Sequence, residues 1–393
     1  MKYLVIVPDG AADYPCDELG GRTPLAAART PHMDRMAAEG SGGLVQIIPA
    51  ERPPGSDVGN LEIFGYDTRR HYTGRSPLEA ASMGVELADD EVAFRCNLIH
   101  RDGDTLVDYS AGHIETPEAA ELVEAVQAEL GDGEKRFYPG VSYRHLLVFK
   151  NGPEHLESYP PHDIMGQSIR AHLPSGRGEE RVRELMERAQ PVLAAVNAGK
   201  DPAPATPANA IWLWGSGRPL RVPTLGERHG LEGGVISAVD LVRGIGRVAG
   251  WRQIDVPGIT GYLDTNYAGK ASYALEALEE LDIVYVHIEA PDEAGHNGDA
   301  AAKVQAIEDI DRLVVGPLME GVRKWGAYRV LMSPDHRTPI RLRTHSREPV
   351  PFVLWGSGVD KDRMAAYSEE AAAEGAMPLE HGHQMMQRLL AGA

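Results

Sequence analysis

Cysteine is scarce in this sequence, with only Cys16 and Cys96 among 393 residues. Two cysteines cannot build a disulfide framework or a zinc site made of thiolates, and such scarcity is typical of a reducing cytoplasm. Long hydrophobic runs are also missing, because no apolar segment reaches the length needed to cross a membrane. The first run, YLVIV, is too short for the hydrophobic region of a signal peptide. We therefore expect a cytoplasmic protein.

Positive charge is in short supply. Lys and Arg number 39 against 58 Asp and Glu, which gives a net charge of −19. Nucleic acids and anionic membranes bind positively charged surfaces, so we expect neither as a partner. Phosphorylated ligands are not excluded, because metal ions can supply positive charge locally. The length predicts two domains or one core with a large insertion, and the sequence leaves the oligomeric state open.

Continuous apolar runs rich in β-branched residues recur along the chain, and each predicts a strand buried on both faces. The runs are YLVIV at 3–7, GGVISAV near position 235, DIVYVHI at 282–288, YRVLMS at 328–333 and PFVLW at 351–355. Helical patterns such as NYAGKASYALEALEEL lie between them. Alternating strands and helices predict an α/β sandwich built on a parallel sheet.

The region from about Asp89 to Leu220 has a different pattern. It contains EVAFRCNLIHRDGDTLVDYS, which predicts two strands around an Asp-Gly turn. TPEAAELVEAVQAEL then predicts a helix, and YRHLLVFKN predicts a further strand. This hairpin-like pattern sets the region apart from the flanking α/β segments. The Pro- and Ala-rich stretch 199–210 predicts a linker near its far end.

Candidate metal ligands follow several of the predicted strands, where open α/β sheets place their sites. They are Asp9, Asp292, His296, Asp335, His336 and His345. Asp292 and His296 are four residues apart, so both side chains face one point if the segment is helical. Each residue alone could be a helix cap or a turn residue, and the prediction depends on their recurrence. Carboxylate and imidazole together suit Mn²⁺ or Zn²⁺ better than Ca²⁺.

Ser56 lies in ERPPGSDVGN, where proline and glycine predict a turn between two apolar runs. One interpretation is an ordinary turn residue. A serine hydroxyl becomes a nucleophile only with a base or a metal ion, and no Gly-x-Ser-x-Gly elbow surrounds Ser56. Two divalent ions held by the candidate ligands would meet this need. Asp57 and Asn60 are then candidates for orienting the phosphate or the loop.

Several longer motifs resemble those of one known family. They are VPDGAADYP, GGRTPLAAARTPHMDRMAAEG, PPGSDVGNLEIFGYDTRRHYTGRSPLEAASMGVEL, APDEAGH and PDHRTPIRLRTHS. On these motifs the chain resembles the cofactor-independent phosphoglycerate mutases of archaeal type, within the alkaline phosphatase-like metalloenzyme superfamily. The resemblance spans nearly the whole chain, from Asp9 to His345, and the combination of motifs is highly specific.

The resemblance implies an alkaline phosphatase-like three-layer sandwich core at 1–88 and 221–393, with a smaller α+β cap domain inserted at 89–220. It implies that Ser56 is transiently phosphorylated while 3-phosphoglycerate and 2-phosphoglycerate are interconverted in glycolysis and gluconeogenesis. Two divalent ions are implied, with Mn²⁺ expected first and Zn²⁺, Co²⁺ or Mg²⁺ as alternatives. One ion would be held by Asp292, His296 and His345. The other would be held by Asp9, Ser56, Asp335 and His336.

Polar residues of the inserted region are candidates for binding a small phosphorylated metabolite. They are His113, Arg144, His162 and Asp163. An arginine fork suits a carboxylate or a phosphate, and His162 or Asp163 is a candidate base for the glycerate hydroxyl. The alternative is that Arg144 pairs with a surface acid and that His162 and Asp163 cap a turn.

Three basic residues outside that set carry further expectations. Arg75 and Lys270 are candidates for reaching the phosphate, against the alternatives of a solvated salt bridge and a helix-surface lysine. We expect the lysine–glutamate pairs near Lys303 and Glu308 to be solvated surface.

Two segments, EAPDEAGHNG and DYSAGHI, differ from the archaeal pattern. They are closer to a bacterial branch of the family that has been proposed to act as homoserine kinase. A homoserine kinase using the same phosphoserine is therefore the alternative function, although the sequence has no Walker A motif or kinase glycine loop. A plain phosphatase and a non-catalytic binding protein are further alternatives, and the intact ligand set weighs against the last.

Overall fold

The computed structural model describes residues 1–200 and 206–391. The chain divides into two compact units. The core unit consists of Met1–Tyr72 together with the segment from Arg221 onward, and the inserted unit is Thr73–Leu220. The predicted linker at 199–210 falls partly on residues 201–205, which lie outside the described residues.

The strands are numbered along the chain. They are β1 (Lys2–Pro8), β2 (Ser41–Val45), β3 (Glu91–Asp102), β4 (Thr105–Asp108), β5 (Lys135–Tyr138), β6 (Arg144–Lys150), β7 (Ala210–Gly217), β8 (Gly233–Ile236), β9 (Arg252–Gln253), β10 (Ile283–Ile288), β11 (Tyr328–Met332) and β12 (Val350–Gly356).

The α-helices are numbered in the same way. They are α1 (Pro24–Ala27), α2 (Pro31–Glu39), α3 (Ser56–Ile63), α4 (Thr68–His71), α5 (Ser76–Ser82), α6 (Thr116–Leu130), α7 (Glu179–Ala198), α8 (Leu225–His229), α9 (Asp240–Val248), α10 (Tyr267–Ala277), α11 (Ala290–Asn297), α12 (Ala300–Ile310), α13 (Gly316–Gly321), α14 (Glu369–Ala373) and α15 (Gln384–Ala391). Within the described part of the chain, none of them has the length and apolar character that a membrane-spanning helix requires.

The core unit is built on a seven-stranded sheet with the order β2-β12-β11-β1-β10-β8-β9. β1 is parallel to both of its neighbours, and Val5 pairs with Tyr285 on one side and Leu331 on the other. β8 and β9 continue the parallel arrangement beyond β10. The apolar runs that predicted β1, β8, β10, β11 and β12 are all confirmed as strands.

The expected parallel arrangement is wrong at one side of this sheet. β12 runs antiparallel to β11, and β2 runs antiparallel to β12. A strand buried on both faces is apolar whichever way it runs, so its pattern cannot give its direction. β2 itself is missing from the predicted strands because its sequence, SGGLV, is rich in glycine. The glycine is needed there, because a Cβ on Gly42 would lie 2.2 Å from the Phe352 carbonyl oxygen.

Helices cover both faces of the sheet, and the central strands are accordingly buried on both sides. One group of contacting helices contains α2, α10 and α13, and a second contains α3, α9 and α15. The core unit is therefore the three-layer α/β sandwich that the sequence predicted.

Lys303 on α12 corrects one expectation, because it is fully buried and not solvated. Its Nζ lies 2.8 Å from Oδ2 of Asp13 and donates to the Thr338 carbonyl oxygen at 2.8 Å. Glu308 on the same helix accepts a hydrogen bond from the backbone nitrogen of Arg29. Helical periodicity assigns residues to faces, but tertiary packing decides which faces are covered.

The inserted unit contains an antiparallel sheet in which β3 pairs with β4, β6 and β7, and β5 pairs with β6. The predicted hairpin, helix and strand are confirmed as β3–β4, α6 and β6. Side chains of the sheet and of α6 and α7 share one apolar core, which includes Phe94, Leu98, Leu122, Leu147, Leu185 and Trp212.

The inserted unit begins at Thr73, earlier than the expected position 89. The reason is α5, which packs on β3 and β7. Its first residue, Ser76, accepts a hydrogen bond from the Arg95 backbone nitrogen at 2.6 Å and donates to the Gly215 carbonyl oxygen at 2.7 Å. The hairpin-like sequence pattern begins only at β3, so the sequence does not show that α5 belongs to the inserted unit.

His145 on β6 makes the stability of the inserted unit depend on pH. Burial, and then the charge of Arg95, lower the pKa of His145 to about 3. Between pH 6.5 and 3, His145 is protonated in the unfolded chain but neutral in the folded protein. The free energy of unfolding therefore falls as the pH falls. The expected contribution is about 1.4 kcal/mol per pH unit.

Urea denaturation at pH 7 and pH 5 tests this expectation. His145→Asn should lose less stability than the wild type over that interval, whereas His155→Asn, which changes an exposed histidine, should behave like the wild type. Equal pH dependence in His145→Asn and the wild type would contradict it.

Candidate active site

The carboxyl ends of β1, β10 and β11 lie side by side, because these strands are parallel neighbours. Asp9 directly follows β1. Asp292 and His296 lie on α11, which follows β10, and Asp335 and His336 follow β11. The candidate ligands therefore collect at one edge of the sheet, as the parallel order requires.

The first ligand group consists of Asp292, His296 and His345. The Nε2 atoms of the two histidines are 2.9 Å apart, and Nε2 of His296 lies 3.2 Å from Oδ2 of Asp292. Nδ1 of His296 is 3.0 Å from the Arg343 carbonyl oxygen, which can only accept, so Nδ1 carries a hydrogen. In the neutral ring the Nε2 lone pair then faces the other two ligands. Three electron-pair donors that face one another fit a cation.

Without a bound cation, a proton on His296 compensates the negative charge of Asp292. Burial opposes charge on His296, but the hydrogen bond to Asp292 and the charge of that carboxylate raise the pKa of His296 to about 9. Burial likewise opposes ionisation of Asp292, yet hydrogen bonds from His296 and His345 lower its pKa well below the usual value. Metal binding at such a site releases the proton.

The second ligand group surrounds Asp9, which is fully buried. Nε2 of His336 lies 3.5 Å from Oδ1 of Asp9 and 3.5 Å from Oδ2 of Asp335. Neither oxygen of Asp9 accepts a hydrogen bond of normal geometry among the described residues, although Nε2 of His287 lies 3.0 Å from its Oδ2. Burial, and then the charge of Asp335, raise the pKa of Asp9 well above its usual value. Buried carboxylates without partners are unfavourable unless a cation is bound, so this group also fits a divalent ion.

Ser56 is the first residue of α3 and faces the second ligand group. Its Oγ is 3.1 Å from Nε2 of His336. Burial lowers the pKa of His336 to about 4, so this ring is neutral near pH 7. The first turn of a helix also offers backbone N–H groups and the positive end of the helix dipole, which favour an anion. The turn predicted around Ser56 therefore ends in a helix that presents the hydroxyl.

Asn60, one turn further along α3, connects Ser56 to Asp335. Its Nδ2 donates to the Ser56 carbonyl oxygen at 2.9 Å and to Oδ2 of Asp335 at 2.7 Å. Its Oδ1 accepts from the Tyr285 hydroxyl at 2.7 Å, which fixes the orientation of the amide. Asp57 accepts a hydrogen bond from the Tyr72 hydroxyl. Both residues thus hold the segment that carries the serine.

The structure brings together every residue that the sequence predicted as a ligand or nucleophile. It adds three that the sequence analysis missed, which are His287, Glu289 and Thr338. Nε2 of His287 lies 3.0 Å from Oδ2 of Asp9. Burial, and then the charge of Asp292, raise the pKa of Glu289 to about 8. A histidine inside the apolar run of β10 was the available signal, because polar residues are rare in fully buried strands.

Lys270 is fully buried on α10, which contradicts the helix-surface alternative. Its Nζ donates to the His287 carbonyl oxygen at 2.6 Å. Burial lowers the pKa of Lys270 to about 8. The ammonium group is therefore bound inside the core unit, next to β10.

In the inserted unit, the candidate residues lie around three aromatic side chains. These are Tyr109, Tyr143 and Trp214, which we call the ring cluster. The centroid of the His162 ring lies 6.0 Å from that of Tyr109 and 6.3 Å from that of Trp214. The centroid of the His113 ring lies 6.4 Å from those of Tyr109 and Tyr143. The three rings come from separate segments of the chain, so local sequence patterns do not predict this aromatic surrounding.

The remaining candidates lie at the edge of the ring cluster. The guanidinium carbons of Arg144 and Arg75 are 5.7 Å and 5.6 Å from ring centroids of the cluster. Oδ1 of Asp163 lies 3.6 Å from Nε2 of His162. Arg75 also forms a salt bridge with Glu79 at 2.9 Å, but the pair is not fully solvated as the alternative supposed, because Glu79 is buried.

A further acidic and imidazole group in the core unit differs from the two ligand groups. Glu62, Asp67 and His383 lie close together, but each carboxylate already has partners. Oε2 of Glu62 is 2.9 Å from Nδ1 of His383, and Asp67 pairs with Arg69 at 2.8 Å. This group is a closed hydrogen-bonded network.

Comparisons with known proteins identify the family. A family model described as 2,3-bisphosphoglycerate-independent phosphoglycerate mutase matches residues 37–198. A probable 2,3-bisphosphoglycerate-independent phosphoglycerate mutase of Geobacter sulfurreducens is 54% identical over 99% of this chain and 100% of its own. The 2,3-bisphosphoglycerate-independent phosphoglycerate mutase of Methanothrix thermoacetophila is 51% identical, with 100% of each chain covered.

Solved structures are similar to this chain at lower identity. A protein of Pyrococcus horikoshii has a TM-score of 0.83 and 28% identity, covering 99% of this chain and 96% of its own. The cofactor-independent phosphoglycerate mutase of Thermoplasma acidophilum has a TM-score of 0.68 and 27% identity, with 99% of each chain covered. The similarity extends over both the core unit and the inserted unit. This chain therefore belongs to the family of 2,3-bisphosphoglycerate-independent phosphoglycerate mutases.

Proposed function

We propose that this protein interconverts 3-phosphoglycerate and 2-phosphoglycerate, with Ser56 carrying the phosphoryl group between the two. The observation that supports this most directly is the distance of 3.1 Å between Ser56 Oγ and Nε2 of His336. The hydroxyl thereby faces a buried group of carboxylates and imidazoles, which is the kind of site that phosphoryl transfer uses. The relatives named as phosphoglycerate mutases indicate the substrate.

The chemistry proceeds in two balanced halves. The Ser56 hydroxyl gives up its proton as Oγ forms a bond to phosphorus, while the bond between phosphorus and the first glycerate oxygen breaks and that oxygen takes up a proton. The other glycerate hydroxyl then gives up its proton and attacks phosphorus, while the bond between Oγ and phosphorus breaks and Oγ takes up a proton again. His162 or Asp163 holds the proton that the second hydroxyl releases.

The two ligand groups hold divalent ions in this proposal, and Mn²⁺ is the expected ion because it suits mixed carboxylate and imidazole ligands. Asp292, His296 and His345 hold one ion, and Asp9, Ser56, Asp335 and His336 hold the other. When bound, these ions stabilise the serine alkoxide and polarise the phosphoryl group.

The inserted unit acts as a cap domain that binds the glycerate while its phosphoryl group is on Ser56. Arg144 and Arg75 suit the carboxylate and the phosphate, because a guanidinium offers paired donors. His113 and the aromatic rings next to it limit the space around the ligand. Retaining the glycerate matters, because water would otherwise hydrolyse the phosphoserine. The scarcity of cysteine supports the cytoplasm as the place of action.

The homoserine kinase alternative is not supported by the relatives reported above, which carry the mutase name. The segment EAPDEAGHNG, which differs from the archaeal pattern, keeps the ligands Asp292 and His296 in place. The sequence difference therefore does not change the candidate metal ligands.

Ser56→Ala should lower kcat for the conversion of 3-phosphoglycerate by about a thousandfold or more, because the nucleophile is lost. An enolase-coupled assay measures the rate, and mass spectrometry of the protein detects a phosphoserine in the wild type only. Ser272→Ala, which changes another helical serine of the core unit, is the matched control and should keep full activity. Retained turnover in Ser56→Ala would refute the assigned nucleophile.

Asp9→Asn should have opposite effects with and without metal. In EDTA the melting temperature should rise, because the substitution removes a buried carboxylate beside Asp335. With Mn²⁺ the affinity should fall by about tenfold or more, and most of the metal-induced stabilisation should be lost. Calorimetry in both conditions measures this, with His383→Gln as the control that leaves Mn²⁺ affinity unchanged. A lower melting temperature of Asp9→Asn in EDTA would indicate a purely structural network.

Arg144→Ala should raise KM for 3-phosphoglycerate by about tenfold, because a hydrogen bond to a charged group contributes about 1.5–3 kcal/mol. Arg144→Lys should recover only part of the loss, since an ammonium lacks the paired donors. Steady-state kinetics separate KM from kcat. The control is Arg188→Ala, which removes an exposed arginine of α7 that pairs with Glu184. If this control raises KM as much as Arg144→Ala does, Arg144 does not bind the substrate.

A further inference from the structure

We propose that the Thr338 hydroxyl fixes the ring tautomer of His336 and so directs the Nε2 lone pair of that ring toward Ser56. Thr338 follows β11 in the segment PDHRTP and is fully buried. It is a positioning residue, because it acts through Asp292 and His336. Its part in turnover rests on the proposed function, whereas its effect on the imidazole does not.

The Thr338 hydroxyl contacts both ligand groups at once. Oγ1 donates its only hydrogen to Oδ1 of Asp292, because an ionised carboxylate can only accept. The same Oγ1 lies 3.2 Å from Nδ1 of His336. Since its hydrogen is already used, the hydroxyl can only accept from the ring. Nδ1 of His336 must therefore carry the hydrogen.

The tautomer decides what the other ring nitrogen can do. A neutral imidazole has one N–H group, and placing it at Nδ1 leaves a lone pair on Nε2. Nε2 of His336 lies 3.1 Å from Ser56 Oγ and 3.5 Å from Oδ1 of Asp9. The lone pair can accept from the serine hydroxyl or bind a cation. The other tautomer would point an N–H group into the same space and exclude a cation from it.

A buried ion pair holds Thr338 in this position. Nζ of Lys303 donates to the Thr338 carbonyl oxygen at 2.8 Å and lies 2.8 Å from Oδ2 of Asp13. The same carboxylate oxygen accepts from the Ile340 backbone nitrogen at 3.1 Å. The Thr338 backbone nitrogen donates to the Ala12 carbonyl oxygen at 3.3 Å. These contacts hold the backbone at Thr338 and just after it.

Gly10 has no side chain and therefore leaves space for the Thr338 hydroxyl. Its φ of +61° lies in the left-handed region, and a Cβ on it would lie 2.6 Å from both Thr338 Oγ1 and Asp292 Oδ1. Any other residue would therefore separate the hydroxyl from the carboxylate. The residue next to Asp9 thus protects the hydrogen bond on which the tautomer depends.

A pair of variants separates the hydroxyl from the volume of the side chain. Thr338→Val removes the hydroxyl and keeps the size, whereas Thr338→Ser keeps the hydroxyl and loses a methyl group. In metal-free protein at slightly alkaline pH, ¹⁵N NMR of the histidine rings reports the tautomer, with His336→Gln to assign the signal. We expect hydrogen on Nδ1 in the wild type and in Thr338→Ser, and a shift toward hydrogen on Nε2 in Thr338→Val.

Mn²⁺ affinity, measured by competition with a chelating dye, is the second readout. Loss of a residue that orients a ligand typically weakens metal binding by about 10–100-fold, and we expect this for Thr338→Val. Thr338→Ser should stay within about threefold of the wild type. At saturating Mn²⁺, Thr338→Val should lower kcat for 3-phosphoglycerate and leave KM nearly unchanged. If Thr338→Val does not fold, Thr338→Ala provides the same measurements.

Two results would overturn the inference. One is wild-type tautomer and Mn²⁺ affinity in the hydroxyl-free variant. The other is equal impairment of Thr338→Val and Thr338→Ser, which would assign the effect to packing. If the wild type has no mutase activity but the tautomer and the affinity respond as expected, the proposed function fails and the inference stands.

Discussion

The structure depends on one constraint, which is the burial of several carboxylates where the parallel strands β1, β10 and β11 end. Asp9, Asp292 and Asp335 lie within this small volume, and water does not reach Asp9. Like charges in a medium of low polarity repel strongly, so the site is complete only with cations or protons. The raised pKa of Asp9 and the raised pKa of His296 are two consequences of this one requirement.

The surrounding fold controls the orientation of each ligand. His296 is fixed by a backbone carbonyl oxygen, His336 by the Thr338 hydroxyl, and Asp335 by Asn60. The contacts to His296 and His336 use the ring nitrogen that faces away from the shared centre, and leave Nε2 of each neutral ring with its lone pair. Hydrogen bonds within the core unit therefore orient the candidate ligands, whereas the candidate residues of the inserted unit lie among aromatic rings.

The success of the sequence predictions follows physical rules. Buried parallel strands require continuous apolar runs, and polar residues directly after such runs stand out, which is why Asp9, Asp335 and His336 could be found. The direction of β12, the burial of Lys303 and the environment of Lys270 could not be found in this way. A pattern of periodicity records which residues are apolar, but not which charged residue is paired in the interior.

The sequence by itself determined the family, the α/β class, most strands of the core sheet and the candidate ligands, because these depend on residue types at local spacings. Only the tertiary structure decided which side chains meet. Thr338 looked like one more turn residue in PDHRTP, and His287 like part of an apolar strand. Their contacts with Asp292, His336 and Asp9 join segments far apart in the chain, and the packing of the whole core unit sets such contacts.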